Sequence, residues 1–246
     1  MKSFNNYYMV NNNDNSNLDD IYYINVIKEV IINHFEDMNC SFDYVRKFIM
    51  NKVLDHPKHC PINLNKDSKY DFIYLNVKKY SYWCQVIYQL SHELGHSFCN
   101  SNNYRESIPW IEETICEALS LYFLNYFYKN WNNIELSKLN RSYDTSIKEY
   151  LDDILNDKGT NRLSNCSNLD ELIDINKTST NNRIDRHNEM IELYKLMDDN
   201  NINSLIKYRD YIIDNSILLD TKKYLNDFNN NAVKYICELQ DNVLKS

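Results

Sequence analysis

His92, Glu93 and His96 stand in the run His-Glu-Leu-Gly-His, within the segment Gln89–Phe98. On a helix, residues four apart lie one above the other on the same face, so both imidazoles can meet a single ion. Imidazole nitrogen suits Zn2+, which in catalytic sites takes three protein ligands and keeps one position open. Glu93, beside the first histidine, can reach a metal-held water without ligating the metal, where a general base belongs. With six histidines in the chain, the bare pattern turns up by chance in about one such sequence in a hundred. Its setting adds weight, because it lies in a strongly periodic stretch that follows an expected strand. Gly95 is one of only two glycines in the chain, and glycine inside a helix costs about 1 kcal/mol relative to alanine. A close approach of backbone or ligand on that face would account for it. The alternative is a solvated helix face with an ordinary surface acid.

A third ligand is expected from the next helix, Trp110–Ser120, which carries Glu112, Glu113 and Glu117. Glu113 and Glu117 are four apart and share a face, opposite the stripe of Ile111, Ile115, Ala118 and Leu119. Glu113 could bind the metal, and Glu117 could hydrogen-bond a ligand histidine and fix its ring. Glu112 is the rival ligand, although its partner one turn on is Cys116 rather than an acid. Acids also favour a helix N-terminus for its dipole alone, which accounts for Glu112 and Glu113 better than for Glu117.

Taken together, Ser81 to Leu124 resembles the gluzincins, zinc metallopeptidases in which HExxH is followed by a glutamate on a downstream helix. Trp110, three before Glu113, also occurs in some branches. The resemblance implies Zn2+ held by His92, His96 and Glu113, with Glu93 activating water for amide hydrolysis. It implies an upstream edge strand, Asp71–Val77, along which an extended peptide substrate could lie. The interval from His96 to Glu113 is short for the family, which keeps Glu112 and Glu117 as alternatives. The metzincin extension fits worse, because it needs glycine where Cys99 stands and histidine where Asn102 stands. A second-lobe histidine or tyrosine should stabilise the oxyanion. His187, the only histidine after the motif, is the candidate, and a half-buried structural role is its alternative.

Other elements follow from periodicity and breakers. Helices are expected over Asp19–Phe35, Asp43–Leu54 and Tyr82–Cys99, the last with Ser81 as N-cap, and from Pro109 onward. Short strands are expected over Pro61–Asn65 and Asp71–Val77. Past Leu139 the helical segments are Ser146–Leu155, Arg183–Met197, Ser204–Ile213, Ser216–Phe228 and Ala232–Leu244. His56, His59 and Cys60 could bind a metal, but a proline-broken turn explains them. Cys99 and Cys116 lie one turn beyond the site residues and read as small core fillers. The asparagine clusters read as loops or helix ends.

The expected fold class is therefore α+β, mostly helical. In zincin-like fashion, a small strand-containing N-terminal lobe (1–130) carries both site helices, and a helical C-terminal lobe (131–246) closes one compact catalytic domain. A formal net charge of -8 argues against nucleic acid or an anionic membrane as partner. At 43% hydrophobic residues, the chain is too apolar to be disordered. Met1–Val10 carries one lysine and no apolar stretch typical of a secretory signal. Seven scattered cysteines suggest reduced thiols and a cytoplasmic location. No P-loop, GxGxxG, GxSxG or CxxC occurs, so nucleotide, serine-hydrolase and dithiol readings lack support. The expected activity is zinc-dependent hydrolysis of a peptide or protein substrate. The rivals are a catalytically inactive zincin-like domain that binds a protein, and a helical interaction protein without metal. The oligomeric state stays open.

Overall fold

The computed structural model describes residues 7–9, 18–40, 47–52, 70–75, 77, 79–100, 107–180 and 182–245. Three short strands, β1 (Tyr7–Met9), β2 (Lys47–Lys52) and β3 (Tyr70–Leu75), pair in parallel in that order. Tyr8 stands opposite Ile49, and Ile49 opposite Phe72. Parallel neighbours need a long crossover, and helix α1 (Leu18–Asp37) lies in the one between β1 and β2. The helix expected over Asp43–Leu54 is thus extended at 47–52. So short an apolar run fits either period, and pairing on both sides decides it. The strand expected at Pro61–Asn65 lies outside the described residues, as do His56, His59 and Cys60.

The expected α+β class with a strand-containing lobe is corrected. The described residues are mostly helical; the three short strands do not amount to a lobe, and a helical fold carries the site. The physical reason lies in α3 (Pro109–Asn130), which follows α2 (Trp83–Asn100). Every residue of α3 from Trp110 to Leu124 is buried, so this stretch of the helix has no solvent face. A helix buried all round is the centre of a helical core rather than a cover for a sheet. It packs against α2, α4 (Tyr143–Asn156), α5 (Leu169–Thr178) and α6 (His187–Leu196). The chain is completed by α7 (Ile202–Ile206), α8 (Thr221–Asp227) and α9 (Asn231–Lys245). One contiguous apolar cluster runs from Ile24 of α1 to Val243 of α9.

Two segments expected as single helices are broken. Arg183–Met197 is a 3-10 turn (Arg183–Arg186) followed by α6, and Ser204–Ile213 divides into the end of α7 and a 3-10 turn (Tyr208–Tyr211). Over Ser216–Phe228 only α8 is helical; Ile212 and Leu219 form an antiparallel bridge before it.

Local chemistry explains how polar residues survive in this core. Ser91, Ser97, Thr114 and Ser120 return their hydroxyls to carbonyls of their own helices, at Ile87, Glu93, Trp110 and Cys116, so buried donors are satisfied. The first turn of α3 has proline at its start, where no N–H is needed. The Trp110 N–H is met by Asn176 Oδ1 at 3.2 Å. In a chain with two glycines, asparagine takes left-handed positions, Asn39 at φ 59° and Asn215 at φ 57°, which it tolerates better than most residues.

Gly95 sits where α2 and α3 touch. A Cβ there would stand 3.0 Å from Leu119 Cδ1 and 3.1 Å from Cys116 Sγ. The expected close approach is thus to the neighbouring helix. Gly95→Val should lower stability by about 1–3 kcal/mol through overpacking, read as a lower urea midpoint. A wild-type midpoint would contradict this contact.

Candidate metal centre

Helix α2 presents His92 and His96 from successive turns, and α3 presents Glu113 across the interface. The Nε2 atoms of the two histidines lie 3.2 Å apart. His92 Nε2 is 3.4 Å from Glu113 Oε2, and His96 Nε2 is 3.6 Å from Glu113 Oε1. Ligand bonds of about 2.0–2.1 Å in a tetrahedron place donor atoms roughly 3.3–3.4 Å apart. The His92/His96/Glu113 group, all three buried, could therefore hold a metal ion.

Carboxylates of α3 stand behind both imidazoles. His96 Nδ1 lies 2.9 Å from Glu112 Oε1. An ionised carboxylate can only accept, so Nδ1 carries the proton and donates. In the neutral ring this leaves the Nε2 lone pair facing the group. His92 Nδ1 is 3.8 Å from Glu117 Oε1, a longer approach. Glu112, the rival ligand, has both oxygens occupied elsewhere: Oε1 by His96, Oε2 by Tyr208 and Arg209. Glu117 Oε2 accepts from the Tyr88 hydroxyl. The hydrogen bond to a ligand histidine that was expected from Glu117 is made by Glu112 instead.

Two arginines balance these acids. Arg186 is 1% exposed; its Nη2 lies 3.3 Å from Glu113 Oε2 and 4.0 Å from Glu117 Oε1. Its Nη1 donates to the carbonyls of Ser179 and Asn182. Arg209 donates to Glu112 through Nε at 2.9 Å and Nη2 at 2.6 Å. Glu93, Glu112, Glu113 and Glu117 are all buried, as are Arg186 and Arg209. The four carboxylates outnumber the two guanidiniums, so the remaining charge falls to the imidazoles or to a bound cation. Burying carboxylates without such compensation is strongly unfavourable.

Titration follows the same geometry. Burial pushes Glu113 up, but hydrogen bonding to His92, the charges of both histidines and Arg186 outweigh it and hold the carboxyl at about 2. Burial pushes His96 down, but the Glu112 hydrogen bond and the charges of Glu113, Glu112 and Glu93 raise it to about 10. Glu93 is thus close enough to act on His96. Glu112 is likewise lowered, with burial outweighed by His96 and Arg209.

His187 is not brought against the three ligands. Its Nε2 donates to the Ile154 carbonyl at 3.1 Å, and its ring covers Gly159, where a Cβ would stand 2.3 Å from His187 Cβ. It does share a cavity of about 170 Å3 with Tyr88, Glu117 and Met190. Cys99 and Cys116 are buried core thiols, as expected.

Sequence reasoning missed Tyr88, Arg186, Tyr208 and Arg209. Tyr88 had a signal, since Tyr88, His92 and His96 repeat every four residues along one helix face. The other three had none, being placed by distant turns. Comparison with protein-family profiles, with curated proteins and with solved structures returns no match.

The folded value of His96, about 10, lies above its ordinary 6.5. Its contribution to stability is complete below about pH 6.5 and is lost as pH rises toward 10. Glu113, at about 2 against 4.5, contributes above pH 4.5 and loses that as pH falls. Chelator-treated protein should therefore be most stable between these limits. On the alkaline side it should weaken by up to about 1.4 kcal/mol per pH unit. Urea unfolding across pH tests this, and an equal alkaline slope in His96→Gln would refute the assignment.

Proposed function

We propose that the protein is a zinc-dependent metallopeptidase of the gluzincin kind. The observation that carries the reading is the convergence of His92 Nε2, His96 Nε2 and a Glu113 carboxylate from two packed helices, at donor spacings of 3.2 to 3.6 Å. Two nitrogens and one carboxylate oxygen are a donor set that suits zinc and leaves one position open.

A bound Zn2+ would supply Lewis acidity toward the scissile carbonyl and lower the pKa of a water it holds. His92, His96 and Glu113 would hold it. Glu112 keeps the His96 proton on Nδ1, so that Nε2 is free to ligate. Glu93 takes a proton from the attacking water and returns it to the leaving amine. Arg186, with Nη2 at 3.3 Å, helps to orient the Glu113 carboxylate. The substrate is a peptide or protein. No helix among the described residues is long and apolar enough to cross a membrane. The free thiols of Cys40, Cys84, Cys99, Cys116, Cys166 and Cys237 fit a reducing, cytoplasmic setting.

A second reading is a metal-holding domain without turnover that binds a protein partner. The burial of the group favours it, with His92 3%, Glu113 7% and His96 8% exposed.

Elemental analysis of protein purified without added metal should find about one zinc per chain. His92→Ala and Glu113→Ala should lose it, and Glu112→Ala should keep it at reduced affinity. No zinc in folded wild type would end the metal reading. Glu93→Gln should retain zinc and reduce peptide hydrolysis by about 10²–10⁴-fold. Undiminished turnover in that variant would remove Glu93 as the base, and zinc-loaded wild type that cleaves no peptide in a diverse library would favour the second reading.

A further inference from the structure

We infer that Tyr208 and Arg209 are positioning residues that set the geometry and donor strength of His96 through Glu112. The inference rests on the metal reading above. Both residues lie in the 3-10 turn Tyr208–Tyr211, far along the chain from α2 and α3. Tyr208 is 0% and Arg209 6% exposed, so both groups are largely shielded from water.

Three donors converge on a single oxygen. Glu112 Oε2 accepts from Arg209 Nε, Arg209 Nη2 and the Tyr208 hydroxyl. With Oε2 held in this way the carboxylate cannot rotate, and Oε1 is aimed at His96 Nδ1. The guanidinium also sets a fixed positive charge directly against this oxygen, through Nε at 2.9 Å and Nη2 at 2.6 Å. An anionic acceptor on Nδ1 fixes the tautomer and makes the opposite nitrogen a stronger donor to metal.

The two histidines are therefore held unequally. His96 has a charge-assisted hydrogen bond backed by three further donors, whereas His92 Nδ1 stands 3.8 Å from its nearest carboxylate oxygen. His96 is the fixed ligand of the pair, and the turn that fixes it comes from the opposite end of the chain.

The test measures zinc dissociation constants by chelator competition on the full chain, with the visible spectrum of the Co2+-loaded protein as a reporter of ligand geometry. Glu112→Gln should weaken zinc by about 10–100-fold. Tyr208→Phe and Arg209→Lys should each weaken it by about tenfold and alter the Co2+ spectrum. The double variant Glu112→Gln/Tyr208→Phe should bind no worse than Glu112→Gln alone, because both changes interrupt one path. Should Arg209→Lys fail to fold, Tyr208→Phe, which removes only a hydroxyl, carries the test. Wild-type affinity and spectrum in folded Tyr208→Phe would overturn the inference. So would a double variant whose loss is the product of the single losses. Wild type that takes up neither Zn2+ nor Co2+ is a different result, which removes the metal reading itself.

Discussion

The α2–α3 contact places charge where the core is densest. Glu112, Glu113 and Glu117 occupy two turns of a helical stretch with no solvent face, and His92, Glu93 and His96 meet them from the helix against which it packs. Carboxylates in such a place must be matched by cations or hydrogen-bond donors. Much of the surrounding architecture can be read as the answer to that requirement. Arg186 is turned inward by a 3-10 turn just before α6, and Arg209 by another just after α7.

This arrangement joins the two halves of the chain. The three candidate ligands come from α2 and α3, but the groups that make their burial tolerable come from residues beyond 180. The candidate group is therefore a property of the whole helical assembly. An ion bound there would strengthen the docking of the C-terminal turns onto α3, since binding to the folded state alone favours it by mass action.

How much of this could be read from the sequence depends on whether a residue's partner lies nearby in the chain. The spacing of His92 and His96 is a property of one helix, and so is that of Glu113 and Glu117. Local periodicity shows both, and the structure brings His92, His96 and Glu113 together. The extents of α1, α2 and α9 were legible for the same reason. The central position of α3 was not. A stripe of Ile111, Ile115, Ala118 and Leu119 looks amphipathic beside three glutamates, yet those glutamates are buried too, against α2 and the turns that carry Arg186 and Arg209. The lobe of strands failed on similar grounds, because one apolar stripe does not say whether it meets a sheet or more helices.

The arginines mark the firmer limit. Arg186 stands next to His187, and the usual expectation for an oxyanion donor points to the histidine. The structure gives each a different neighbour. His187 lies over Gly159 and bonds the Ile154 carbonyl, while Arg186, one residue earlier, points to Glu113. The direction of a side chain at a helix junction is decided by the turn geometry, which no residue type fixes by itself. The glycines record the same logic from the other side. With two in the chain, each marks a point where a Cβ would collide with a second element, α3 at Gly95 and the start of α6 at Gly159. In a chain this poor in glycine, each one is a contact between elements visible in advance, although the partner is not. Gly95 lies inside the histidine motif and Gly159 beneath His187. Gly95 thus marks a contact beside the ligand histidines, and Gly159 one beside the turn that carries Arg186.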